Sequence, residues 1–214
     1  MTLDTEPYSQ QVIRWPQDGR VILAQFDAES IVVYQAYGPA IGNFAAENGY
    51  FGGPFKLTRM SWIKPNFLWM MYRCGWATKE GQEVVLAIRL QRSAFDQILS
   101  LAVHSSFKPD VYGTRKEWKK AVDESDVRLQ WDPDHDPKGE KVERRAIQLG
   151  LRGDVIAKYA REWILDIQDI SGFVAEQRSH AKSRDYDRLF TPTEFAYPVT
   201  NKDVAGKLGL STLA

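Results

Sequence analysis

One proline divides the most aromatic stretch of this chain and limits how it can fold. Arg59 to Arg73, closing on Cys74-Gly75-Trp76, sets Trp62, Trp69, Trp76, Phe67 and Tyr72 with Met60, Met70 and Met71 among the cations Arg59, Lys64 and Arg73. Pro65 lacks an amide hydrogen and fixes its own φ, so it suits the first turn of a helix and interrupts a strand ladder. Leu57 to Ile63 therefore reads as a strand. Asn66 to Arg73 reads as a helix stopped by Gly75. Such an aromatic density beside three cations points to a binding or catalytic site close to this block.

The remaining segments follow from periodicity and breakers. Residues 1–19 are polar, with Pro16 and Asp18-Gly19, and read as an N-terminal arm. Val21 to Phe26 and Ile31 to Tyr37 are β-branched and aromatic runs joined by a turn, two strands. Pro39 opens a short helix that Gly49 ends, and Gly49 to Pro54 is a glycine-rich aromatic loop without the Gly-Lys-Ser/Thr ending of a phosphate loop. Gln82 to Leu90 is a strand, and Ser93 N-caps a helix carrying Phe95, Ile98 and Leu99. Arg115 to Ala121 reads as a basic helix. Val127 to Asp132 and Arg145 to Leu151 form a hairpin around a loop from Asp132 to Gly139. Val155 to Trp163 is a helix, Ile164 to Ile170 a last strand or helix extension, and residues 179–214 a charged tail whose Phe190, Phe195 and Tyr197 pack back. The expectation is a single α+β domain over residues 20–178, with a mixed or antiparallel twisted sheet and short surrounding helices.

Composition narrows the function classes. The 214 residues carry 28 Lys and Arg against 28 Asp and Glu, so no global field favours nucleic acid or a membrane surface, although a local basic face fits within that balance. No apolar run approaches the roughly 20 residues that span a bilayer. The single cysteine, Cys74, excludes an internal disulfide, and the start is acidic and polar; both suggest a cytoplasmic protein. A lone cysteine beside Trp69 and Trp76 reads as a small buried hydrophobe.

Chemistry concentrates in three places. Asp132, Asp134, His135 and Asp136 can offer oxygen ligands to a hard cation, but the run lacks the central glycine and closing glutamate of a calcium loop, so no metal ligand is assigned. At the end of the second strand, alternation sets Gln35 and Tyr37 on one face, where a buried glutamine needs a partner in the backbone or a ligand. Arg59, Ser61 and Lys64 can hold a phosphate through guanidinium fork, hydroxyl and point charge, with Trp62 or Trp69 stacking a base. Glu83 heads an apolar strand, where it is either a general base or an exposed strand end. His104, His135 and His180 are scattered, and no nucleophile elbow is present.

Tyr34-Gln35-Ala36-Tyr37, the block from Arg59 to Met70 with its Trp62-Ile63-Lys64-Pro65 core, Gln130-Trp131-Asp132-Pro133 and Ile147-Gln148-Leu149-Gly150-Leu151 together resemble the bacterial and fungal family called domain of unknown function 4291. The likeness covers roughly residues 10–200 and implies a stand-alone cytosolic domain. The element order is also similar to the ADP-ribosyltransferase pattern, in which successive strands carry Arg or His, then Ser or Tyr, then Glu. Gln35, Ser61 and Glu83 occupy those places here, Gln35 departing from the pattern. That likeness implies a nucleotide-using transferase with NAD as donor, Arg59 and Lys64 on phosphate, Tyr37 or Trp62 stacked on a ring, and Glu83 stabilising an oxocarbenium-like centre. A non-catalytic RNA- or nucleotide-binding module is the alternative, and an interaction domain whose aromatics are core is a third.

Overall fold

The two most apolar runs of the chain pair with each other and are covered on both faces. The computed structural model describes residues 3–211; the outermost residues of the expected arm and tail, 1–2 and 212–214, lie outside them. In chain order the elements are β1 (Thr5–Pro7), α1 (Tyr8–Gln11), β2 (Leu23–Ala24), β3 (Ser30–Tyr37), α2 (Pro39–Asn48), β4 (Ser61–Ile63), α3 (Phe67–Cys74), β5 (Val84–Gln91), α4 (Arg92–Leu101) and β6 (Ala102–His104). There follow α5 (Pro109–Tyr112), α6 (Arg115–Glu124), β7 (Val127–His135), β8 (Lys141–Leu151), α7 (Gly153–Lys158), a π-helical turn (Tyr159–Trp163), β9 (Ile164–Asp169), α8 (Ser171–Ser183), β10 (Phe190–Pro192), β11 (Phe195–Ala196) and α9 (Lys202–Leu208). This is the expected α+β domain.

The central sheet, in the order β3-β5-β9, is antiparallel, with Tyr34 opposite Ala87 and Gln35 opposite Leu86. Period-two alternation sorts its side chains into two cores. Ile31, Val33, Leu86, Ile88 and Leu90 join Phe95, Ile98 and Leu99 of α4 with Leu129, Ile147 and Leu149 of the hairpin. Val32, Tyr34, Val85 and Ala87 join Phe67, Met70 and Met71 of α3 with Val174 of α8. A sheet covered on both faces explains why these strands read as continuous apolar runs. Gly42 brings α2 onto the sheet: a Cβ there would meet Val84 at 2.4 Å.

The second sheet runs β4-β8-β7-β6, antiparallel except for the parallel pair β6 and β7, whose crossover contains α5 and α6. A single bridge between Tyr34 and Lys64 connects it to the central sheet.

Several expectations change in detail. The strand expected from Leu57 begins only at Ser61, because its partner β8 ends opposite Ser61 at Leu151 and the chain then turns into α7, leaving earlier residues no ladder. The loop expected from Asp132 is strand as far as His135; Pro133 sits at a register shift, where a missing amide hydrogen is tolerated. The α4 helix starts one residue before Ser93, with Arg92 N donating to Glu29 O at 2.8 Å and no side-chain cap. Residues 179–183, expected as the start of the tail, belong to α8, which buries only Val174, Gln177 and Ala181. The two termini also meet: β1 pairs with β10, and Trp15 Nε1 donates to Glu194 O at 2.9 Å.

Candidate functional site

Six of the seven residues singled out from the sequence line one cleft of about 500 Å³: Gln35, Tyr37, Arg59, Ser61, Trp62 and Lys64. The strand ends of β3 and β4 supply them, and Gln130 and Gln148 of the hairpin form the adjoining wall. Glu83 is not brought in. It is exposed, and its carboxylate accepts from Gly81 N at 2.9 Å.

Gln35 organises the polar wall. Buried at 3% exposure, it accepts from Tyr159 Oη at 2.6 Å and donates through Nε2 to Tyr37 Oη and Ser61 Oγ, both at 2.8 Å. Tyr37 Oη and Ser61 Oγ are 2.5 Å apart. Gln35 Nε2 also donates to Trp62 O at 3.2 Å, so its two protons are shared among three acceptors, and one hydroxyl proton lies between Tyr37 and Ser61. Burial, only partly opposed by the bonds from Ser61 and Gln35, pushes the Tyr37 phenol up to about 12, so it stays protonated. Tyr159 reaches Gln35 from the π-helical turn, a local widening of the helix that recurs at functional sites.

Lys64 is the least ordinary residue. It is 4% exposed and lines the cleft, yet among the described residues its ammonium has no hydrogen-bond or ion-pair partner. Burial first, and then the Arg73 charge, push its pKa down to about 8; Asp132 opposes them. Its backbone is fixed by the bridge to Tyr34. Asp132 accepts from Gln130 Nε2 at 2.8 Å and Gln148 Nε2 at 2.7 Å, which leaves its carboxylate committed to the two glutamines. The guanidinium groups of Arg59 and Arg73 have no carboxylate partner among the described residues.

Trp62 lies over Gly150, where a Cβ would approach its ring carbons to 3.0 Å. The glycine leaves the indole room at this point of the sheet. Trp69, the other expected stacking residue, is in another place: it stacks on His135 at 5.4 Å, with Tyr72 on the same imidazole at 3.5 Å. The helical half of the block is nevertheless not all core, since Met70 and Arg73 of α3 reach the cleft. Asn66 starts that helix by accepting from Trp69 N at 2.6 Å, and Glu194 Oε1 accepts from Phe67 N at 2.6 Å.

The acidic run disperses. Asp134 pairs with Arg144 at 2.7 Å, and Asp136 accepts from Lys138 N and Glu140 N in the hairpin turn. Among the described residues no group of three or more His, Cys, Asp or Glu side chains is arranged to hold a metal ion. Cys74 is buried, and burial raises its thiol pKa, the behaviour of a small core residue.

Sequence reasoning did not single out Gln130, Gln148, Arg73 or Tyr159. A signal existed for the glutamines: each interrupts an apolar strand, and they sit directly opposite each other in the hairpin register.

The sequence model of a domain of unknown function, DUF4291, matches residues 21–197. The chain belongs to the DUF4291 family. That is the membership expected from the Trp62-Ile63-Lys64-Pro65 block. The DUF4291 match begins just ahead of β2 and ends at Tyr197, so it contains every residue of the cleft. No curated protein matches the sequence. Among the described residues no helix is long and apolar enough to cross a membrane.

Proposed function

We propose that the cleft binds a nucleotide and that the protein is a nucleotide-using transferase with NAD as donor. The observation that carries the binding half is Lys64, a buried residue whose ammonium opens on the cleft without an ion-pair partner among the described residues, beside Arg59 and Arg73 in the same lining. Desolvation holds the Lys64 pKa down to about 8, and a phosphate would favour the charged form. Arg59 and Arg73 offer guanidinium forks to further phosphate oxygens. Trp62, against Gly150 in the cleft lining, offers a ring for a base, and the Tyr37 and Ser61 hydroxyls suit a ribose or phosphate oxygen.

The transferase half rests on Gln35 and Ser61 occupying the pattern's first two places and meeting at 2.8 Å. In such a transfer the bond from ribose C1′ to the nicotinamide nitrogen breaks, nicotinamide leaves with the bonding pair, and an acceptor nucleophile attacks C1′ and loses its proton. The exposed position of Glu83 favours a second reading, a non-catalytic RNA- or nucleotide-binding module. A single buried thiol is compatible with a cytoplasmic location.

The readings separate on one pair of measurements. Incubation with NAD and chromatographic detection of nicotinamide tests transfer, and titration with ADP tests binding. Nicotinamide release that is lost in Gln35→Leu supports the transferase; ADP binding without any release, unchanged by Glu83→Ala, supports the module. Failure of both ADP and NAD to bind rejects the proposal.

A further inference from the structure

A second pocket, of about 210 Å³, opens at the end of β6 and carries three cations and no carboxylate. Arg20 comes from the segment before β2, Lys108 from the loop after β6 and Arg145 from β8. Arg20 and Arg145 are neighbours by backbone: they form a parallel bridge, and Arg145 N donates to Gly19 O at 2.7 Å. The main chain thus sets two arginines side by side at this pocket, Arg145 exposed and Arg20 reaching towards Gly209, so like charges neighbour each other there. Among the described residues none of the three cationic side chains has a hydrogen-bond or ion-pair partner. The hydroxyls of Ser105 and Ser106 line the same pocket and are likewise uncommitted there.

His104 reports the local field. Its imidazole is buried at 4% exposure, with Nδ1 3.1 Å from Tyr112 Oη. Burial, then Lys108, Arg20 and Lys207, push its pKa down to about 4, so it stays neutral at physiological pH. All the charges acting on it are positive.

We infer that this pocket is a second anion site, built for a terminal phosphate group carried as a phosphomonoester dianion. Two guanidinium forks and an ammonium match the charge and geometry of such a group, and two serine hydroxyls supply further donors. The volume suits a phosphate with a few waters and is below the roughly 300–1,000 Å³ of sites for larger organic ligands. The site does not depend on the nucleotide reading of the cleft, although Gln130 lines both spaces. Free phosphate and the 5′-phosphate end of a nucleic acid share the required chemistry.

The test follows the His104 imidazole by nuclear magnetic resonance while inorganic phosphate is added at constant ionic strength. The expected result is a saturable shift of the His104 ring resonances at about pH 7.5, where the second phosphate proton, with a pKa of about 6 or a little above, is largely lost. The response persists in Lys64→Met, which alters the cleft alone. It weakens about tenfold or more in Lys108→Gln and is lost in Arg20→Gln with Arg145→Gln. Should the double variant not fold, Lys108→Gln decides, since that side chain is half-exposed and bonded to nothing else. An oligonucleotide bearing a 5′-phosphate, compared with its 5′-hydroxyl form, identifies the source. A shift with the phosphorylated form alone assigns a nucleic-acid end; a shift with inorganic phosphate but neither oligonucleotide assigns the free ion. Phosphate acting no differently from chloride, or binding that survives the cationic substitutions, overturns the inference.

Discussion

Tyr34 N donates to Lys64 O at 2.7 Å, and Lys64 N returns the bond to Tyr34 O at 3.2 Å. This bridge joins the two sheets and fixes the backbone of Lys64, the buried lysine among the described residues. Tyr34 itself is fully buried between α3 and the central sheet, so the backbone of Lys64 is anchored in a packed core. The fold thus sets a desolvated amine, its pKa pushed down to about 8, in the cleft.

Gly150 decides where Trp62 lies. A Cβ there would meet Met60 Sδ at 2.7 Å and Trp62 ring carbons at 3.0 Å. Gly150→Ala is expected to displace the indole, destabilise the protein by about 1–3 kcal/mol through overpacking, and weaken ADP binding. Denaturant melts and a changed Trp emission maximum check this.

Gln35 satisfies a fully buried hydroxyl. Gln35→Leu leaves Tyr159 Oη without its acceptor and releases Tyr37 and Ser61 from a common donor. The expected cost is about 1–3 kcal/mol, read as a lower urea midpoint with an unchanged slope.

How much of this was legible in the sequence depended on what each residue type betrays locally. β3 and β5 declared themselves because burial on both faces demands unbroken apolar runs. Asn66 and Gly75 marked both ends of α3 through capping chemistry. By contrast, α8 was hidden, because its buried stripe is narrow and includes Gln177, which is satisfied by donation from Phe190 N at 2.8 Å. Trp62 and Trp69 look alike in sequence, and only the partner surfaces, Gly150 for one and His135 for the other, assign one to the cleft and one to a stack. Glu83 heads an apolar strand as expected, yet which way a strand end faces depends on sheet packing that no local pattern encodes.

Glu194 gives a pH signature. Burial, reinforced by Asp134 and opposed by Phe67 N and Arg144, raises its pKa to about 8. Between the ordinary carboxyl value near 4.3 and that raised value, the folded state holds a proton the unfolded state has lost, so stability falls as pH rises through this window. Thermal melts from pH 5 to 8 are expected to show a declining contribution in the wild type that Glu194→Gln removes.

His135 gives the opposite slope. It stacks on Tyr72 at 3.5 Å, with Trp69 beside both rings at 5.4 Å; both of its ring nitrogens are buried and unpaired, and burial lowers its pKa. Below about 6.5 the unfolded chain takes up a proton that the folded imidazole refuses, so stability is lost as pH falls. His135→Phe, which preserves the stack, is expected to raise the melting temperature more at pH 5 than at pH 8.

The most direct test is the ionisation of Lys64 itself, followed by lysine side-chain nuclear magnetic resonance with and without ADP, using Lys64→Met to assign the signal. The free protein is expected to show a lysine titrating near 8. In the ADP complex that value should rise towards the ordinary lysine range near 10.4, and ADP affinity should fall at least about tenfold in Lys64→Met. A Lys64 pKa that ADP leaves unchanged, with equal ADP affinity in the variant, contradicts the assignment of the cleft as a nucleotide site.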